Sequence, residues 1–388
     1  MKKTNYKPRG AKDLLHAFIG NEKSGGILLI FCTLLSLLLA NSSAGDSYVH
    51  FWHGELAGRS IEFWINDGLM AVFFLLVGLE IKHELKSGEL SNRKQAMLPL
   101  IAALGGMLVP AAIHFGFNNG LPSQPGIGIP MATDIAFSLG VLSLLGKKVP
   151  LSLKIFLTAL AIIDDLGAIV VIAVFYSQGF SLLYFGIALG IFGMLLLLNK
   201  RKVHVVWPYL LIGGALWYFM LLSGIHATIA GVLLAFTIPY RNGDSQSPST
   251  RMMDLLEVPV AYIILPVFAL ANTGIVIEPG WTQQLISMNS AGIGLGLLIG
   301  KPLGIIGFSL LGMVTGICKM PAGVSFPGFA GVAMLAGIGF TMSIFISLLA
   351  FDDAQMIAGS KIAVLIASGA SALLGYGVLA FSLKGKKK

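Results

Sequence analysis

Two adjacent carboxylates, Asp164 and Asp165, stand inside the apolar stretch Ile155-Phe-Leu-Thr-Ala-Leu-Ala-Ile-Ile-Asp-Asp-Leu-Gly-Ala-Ile-Val-Val-Ile. A charged side chain at the bilayer centre costs at least about 2.5–3.5 kcal/mol on insertion scales, so an ionisable residue in such a stretch is a functional candidate by default. Successive helical side chains point about 100° apart, so the two carboxylates border one cavity while leaning toward different neighbours. Both cannot ionise cheaply in a low dielectric, and the pair is expected to bind protons near physiological pH. A small cation entering the site supplies the missing positive charge and expels protons. Competition between cation and proton for the same oxygens is the chemistry of antiport. For either aspartate alone, the alternative is an ion pair that ties two helices together.

Asp134 lies in Ile127-Gly-Ile-Pro-Met-Ala-Thr-Asp-Ile-Ala-Phe-Ser-Leu-Gly. Pro130 donates no backbone hydrogen bond and Gly126 and Gly128 weaken a helix, so an interruption is expected near Thr133. Interrupted helices expose backbone dipoles that need a counter-charge or an ion. Asp134 is therefore read first as neutralising a half-helix end, with direct cation coordination as the alternative. Lys301, in Gly300-Lys-Pro-Leu-Gly, must pair with a carboxylate or shed its charge, and Asp164 is the expected partner.

The elements that carry these residues follow from composition. Of 388 residues 56% are hydrophobic and 11% charged, against roughly 25% charged in a soluble protein. Apolar runs separated by short polar joints place twelve spans at approximately 25–41, 62–82, 96–117, 127–145, 151–176, 181–199, 205–221, 224–239, 257–276, 288–315, 327–350 and 359–382. The reading is one membrane domain over 25–382, a cytoplasmic lead-in at 1–24 and a basic cytoplasmic tail at 383–388. That lead-in contains Asp13 and Glu22 and is too long and mixed for a cleaved signal.

Of the 26 basic residues, all but Arg59, Lys301 and Lys361 fall on one side of this alternation. Basic residues accumulate on the cytoplasmic side, so both termini are expected there. The net charge of +8 thus reflects topology, and nucleic acid is not an expected partner. Cys32 and Cys318 lie in apolar runs and read as small buried hydrophobes. No cofactor is implied. The longest outside joint, 41–61, forms either a surface hairpin or an irregular loop.

A second interruption is expected in Gly337-Ile-Gly-Phe-Thr-Met-Ser-Ile. This is the middle span of the last three, as the Asp134 span is the middle of spans three to five. That correspondence is an inverted-repeat signature, and the fold class is all-α integral membrane with two interrupted, crossing helices.

These segments, with Phe63-Trp-Ile-Asn-Asp-Gly-Leu-Met-Ala-Val-Phe-Phe-Leu-Leu-Val-Gly-Leu-Glu, resemble the NhaA family of sodium/proton antiporters, in the family's order and from Ser24 to Tyr376. The resemblance implies electrogenic exchange of H+ for Na+ or Li+ across a bacterial inner membrane, serving sodium and pH homeostasis. It assigns cation and proton binding to Asp164 and Asp165, makes Lys301 the partner of Asp164, and puts Thr133 and Asp134 at the crossing. It further implies a homodimer contacting through 41–61, and pH control at a funnel bearing Glu80 and Glu84. Those two glutamates, four residues apart, share a helix face. The departures lie in this regulatory region: His83 stands where arginine is common, and a histidine-bearing stretch reads Asp254-Leu-Leu-Glu257. His226, Asp67 and Lys361 also match the family, and each is read first as structural.

Three other classes fit less well. An intramembrane aspartyl protease needs carboxylates converging from separate helices, whereas Asp164 and Asp165 are adjacent. A cation channel needs rings or filter loops, and none is present. A transporter of organic substrates needs an enclosing aromatic cluster, which the candidate residues do not supply.

Overall fold

In lipid every backbone N–H and C=O must be satisfied within the protein, so long apolar runs fold as helices. The computed structural model describes residues 22–176, 179–241, 246–277, 281–321 and 323–384. Most of the polar lead-in and of the basic tail lies outside the described residues.

Helix α1 (Glu22–Ala40) turns sharply into α2 (Gly45–His53), and a two-residue hairpin follows, β1 (Glu55–Leu56) antiparallel to β2 (Arg59–Ser60). The joint at 41–61 is therefore a short helix and a hairpin. Helices α3 (Ile61–Lys86) and α4 (Arg93–Asn118) come next. A tight helical segment, α5 (Gln124–Met131), and α6 (Ile135–Leu144) share the fourth apolar run. Then come α7 (Leu151–Phe175), α8 (Leu182–Lys200), α9 (Trp207–Leu222), α10 (Ile229–Thr237), α11 (Pro248–Asn272) and α12 (Met288–Val314). Helices α13 (Phe326–Leu335) and α14 (Phe340–Ala350) share the eleventh run, and α15 (Ala354–Lys384) ends the described chain.

Among the described residues eight helices are long and apolar enough to cross a membrane, or up to ten if each bent pair is one span. The other two expected spans correspond to the shorter helices α9 and α10. The chain is thus an all-α, multi-pass membrane protein. Helix α10 is shorter than its apolar run because Ser223 to Thr228 form turns instead of helix. Conversely, α11 starts at Pro248, where the Ser247 hydroxyl caps Thr250 N–H before the apolar residues begin.

One apolar core gathers α3, α4, α7, α12 and the two interrupted runs, and a second joins α3 to α8, α9 and α10. Helix α8 turns Leu182, Leu183, Leu189, Met194 and Leu197 outward, as an apolar environment permits. Helices α4 and α12 approach so closely that a Cβ on Gly304 would lie 2.1 Å from the Gly105 carbonyl oxygen. That contact fixes Lys301, one turn earlier on α12.

Candidate functional site

Helix α7 runs unbroken because Leu151 to Phe175 contain no proline and a single glycine, Gly167. It buries Asp164 and Asp165, each 1% exposed. The 100° step between them gives the two carboxylates different surroundings. Asp164 Oδ2 lies 2.9 Å from Lys301 Nζ and accepts a hydrogen bond from Thr133 Oγ1 at 2.7 Å. Asp164 Oδ1 and Asp165 Oδ1 are buried and have no hydrogen-bond partner among the described residues. Asp165 instead lines a cavity of about 390 Å³ together with Glu80, His83, Glu84, Asp134, Glu257 and Thr341.

The crossing supports this pair. After α5 the chain is extended at Ala132 (φ −78°, ψ 151°) and Asp134 (φ −81°, ψ 103°) before α6 begins. Helices α13 and α14 meet at a 42° bend. The two interruptions touch: Asp134 N–H donates to Ile338 O at 2.7 Å. Asp134 Oδ1 accepts from Phe137 N–H at 2.8 Å, which caps α6. Its Oδ2 accepts from Thr341 N–H at 3.1 Å and from the Thr341 hydroxyl, which caps α14. One carboxylate therefore faces two helix N-termini, each equivalent to about half a positive charge.

The opposite ends receive donors. Lys301 Nζ donates to Met131 O at the end of α5. Ser138 Oγ donates to Leu335 O at 3.0 Å, at the end of α13. Thr133 Oγ1 lies 2.9 Å from Ala336 O as well as 2.7 Å from Asp164 Oδ2. It has one proton, so it donates to one of these oxygens at a time.

Lys301 reaches this point because α12 widens into a π-helical turn at Gly296–Gly300, and Pro302 lacks an N–H. The ammonium is fully buried, and its desolvation is offset by the Asp164 carboxylate and the Met131 carbonyl.

The structure thus brings together Asp164, Asp165, Thr133, Asp134 and Lys301, with the Asp164–Lys301 pairing expected from sequence. Glu80, His83 and Glu84 lie farther along the same cavity, on the last turns of α3. The imidazole Nδ1 of His83 lies 3.2 Å from the Tyr240 hydroxyl. His226 Nε2 lies 2.8 Å from Tyr176 O, a packing contact. Among the described residues no three His, Cys, Asp or Glu side chains assemble as a metal site.

Four contributors do not stand out in the sequence. Thr341 and Ser343 lie in a glycine-rich segment, and Ser343 Oγ donates to Ile129 O at 2.7 Å. A hydroxyl every second residue beside a helix break was their only signal. Glu257 was noted as a departure and lines the cavity. Lys82, counted among surface basic residues, is buried and donates to Ala235 O at 3.1 Å and Phe236 O at 3.0 Å, capping α10.

The chain matches the family described as Na+/H+ antiporter 1 over residues 16–379. It is 58% identical over 367 residues to a Na(+)/H(+) antiporter NhaA of Cytophaga hutchinsonii, covering 95% of each chain. A protein of the same name from Flavobacterium psychrophilum is 56% identical, with 96% of this chain and 97% of that one covered. One from Vibrio campbellii is 47% identical, with the same shares covered. The buried carboxylate pair, its lysine and the two interrupted helices therefore stand in a membrane transporter, not an enzyme, and the chain belongs to the NhaA family of sodium/proton antiporters.

Proposed function

We propose that this chain exchanges H+ for Na+, and for Li+, across a bacterial inner membrane by alternating access, with Asp164 and Asp165 binding the cation and the protons. One asymmetry carries the reading. Asp165 lines the cavity that holds Glu80, Glu84 and Glu257, whereas Asp164, next to it in the chain, is tied to Lys301 and Thr133. A cation entering from the end of α3 meets Asp165 first.

The two carboxylate oxygens without partners, Asp164 Oδ1 and Asp165 Oδ1, are the acceptors free to take it. Cation binding expels protons and competes with Lys301 for Asp164. Thr133 and Asp134 hold the crossing while the half-helices rearrange, and the cation leaves on the far side. The cycle is electrogenic, as the family resemblance implies. Glu80, Glu84 and His83 set its pH response.

The same reading completes the topology. Twelve spans include α9, α10 and each interrupted run as one span, with spans three to five and ten to twelve as inverted repeats. A single transporter domain covers 25–382, the segments 1–24 and 383–388 are cytoplasmic, and both termini lie on that side. The outward apolar residues contact membrane lipid, and a homodimer forms through the β1–β2 hairpin.

The test is Na+-induced proton release in inverted membrane vesicles, followed with a fluorescent pH probe from pH 6 to 9, for the parent and Asp165→Asn. Dequenching that needs Na+ or Li+ and disappears in the variant supports the reading. A variant that transports as well as the parent removes Asp165 from the site, and a silent parent in energised vesicles removes the exchange itself.

A further inference from the structure

A second cavity, of about 640 Å³, lies away from the aspartates, where three elements end on the same side of the molecule. Lys94 and Gln95 come from the start of α4, Ser152, Ile155 and Phe156 from the start of α7, and Gly316 to Pro321 from the segment after α12. Its polar groups are two lysines, a glutamine and a serine, and among the described residues no carboxylate lines it. Both lysines are exposed, and neither forms an ion pair among the described residues. Behind them the wall is apolar, formed by Leu98, Pro99, Ile155, Phe156 and Met320.

A soluble anion would need the two ammonium groups but not the apolar wall, and an apolar ligand would need the wall but not the ammonium groups. An amphiphile with an anionic head uses both. The cavity lies at span ends, where headgroups meet hydrocarbon, and on the side that carries the basic joints. Leu311 and Val314 at the end of α12, just before the lining segment Gly316 to Pro321, are exposed and offer an apolar path for acyl chains. Its volume is within the range of ligand sites, roughly 300–1,000 Å³. Basic pockets between membrane helices on the cytoplasmic side suit anionic lipid heads.

We propose that this cavity is a binding site for an anionic phospholipid, with the phosphate between Lys94 and Lys319 and the acyl chains against the end of α12. The inference rests on the membrane fold and is independent of the transport reading.

The experiment uses the full chain purified in detergent, titrated with short-chain phosphatidylglycerol, short-chain phosphatidylcholine or inorganic phosphate at constant ionic strength, with the thermal midpoint as readout. Ligand that binds only the folded state raises the midpoint. Phosphatidylglycerol is expected to raise it by several degrees, and the other two to do little. Each lysine near an anionic surface contributes about 1 kcal/mol, so Lys94→Gln/Lys319→Gln should need about thirty-fold more phosphatidylglycerol for the same shift. Arg201→Gln/Lys202→Gln, which removes exposed charge elsewhere, should respond as the parent does. Native mass spectrometry supplies a second readout, with fewer retained phosphatidylglycerol molecules on the lysine variant. An equal shift with phosphatidylcholine, an equal shift with phosphate alone, or an unchanged response and lipid count in the lysine variant each overturns the proposal.

Discussion

Asp134 and Thr341, 207 residues apart in the chain, meet through a carboxylate oxygen that accepts the Thr341 backbone N–H at 3.1 Å. The other oxygen accepts Phe137 N–H at 2.8 Å. Asp134 is thus the shared cap of two half-helices, and this role can be separated from cation coordination.

Asparagine caps a helix about as well as aspartate, whereas alanine costs about 1 kcal/mol per cap. Asparagine has one acceptor oxygen where aspartate has two, so Asp134→Asn should keep one cap and lose about 1 kcal/mol, and Asp134→Ala should lose about 2 kcal/mol across the two caps. If capping is the whole role, Na+-dependent proton release in vesicles carrying Asp134→Asn stays near the parent level. If it falls as far as in Asp165→Asn, the carboxylate charge itself takes part in transport.

Lys301 and Asp164 make the second separable contribution. Removing one partner of a buried ion pair costs about 3–5 kcal/mol because the remaining charge loses its compensation. Lys301→Leu is expected to lower the melting temperature sharply, and Lys301→Leu/Asp164→Asn to recover much of the loss. A double-mutant cycle with no coupling between the two positions would remove the pair as a structural element.

Much of this site was legible in the chain because the membrane makes charges conspicuous. Asp164, Asp165, Asp134 and Lys301 stand out against apolar neighbours, and Pro130 marks the break before Asp134. What could not be read was which oxygen faces which partner. The division between a tethered Asp164 and a cavity-lining Asp165 depends on where α12 and the crossing lie against α7, and adjacent positions in sequence carry no such information. Thr341 and Ser343 were opaque for a related reason: a hydroxyl in an apolar helix usually bonds its own backbone, and only the second interrupted helix gives these two other partners. Lys82 resembled a loop charge because it sits near a span end, and its burial follows from the exposed carbonyls of α10. The short α10 differs from its apolar run because turn formation at Ser223 to Thr228 is invisible to hydropathy.

His83 offers a test of the cavity mouth. Arginine carries its positive charge throughout the physiological range. His83→Arg therefore adds a fixed positive charge on the route to Asp165 at alkaline pH. The apparent KM for Na+ should rise at pH 8.5 relative to the parent, with the maximal signal retained. An equal KM in both proteins at every pH would place His83 off the cation path.

The approach of α4 to α12 allows the last test, because it concerns where Lys301 is held and changes no charge. A Cβ at Gly304 would meet the Gly105 carbonyl oxygen at 2.1 Å, whereas one at Gly307 meets nothing within 4 Å. The obstacle at Gly304 is backbone and cannot rotate aside, so Gly304→Val must push the helices apart, at a cost of about 1–3 kcal/mol or more. Lys301 lies one turn earlier and would move away from Met131 O and Asp164 Oδ2. Gly307→Ala should be neutral, or stabilising by about 0.5–1 kcal/mol through the better helix propensity of alanine. Gly304→Val is expected to lower the melting temperature and abolish Na+-dependent dequenching with all four buried charges still present. If it melts and transports like Gly307→Ala, the close packing of α4 on α12 does not set the position of Lys301.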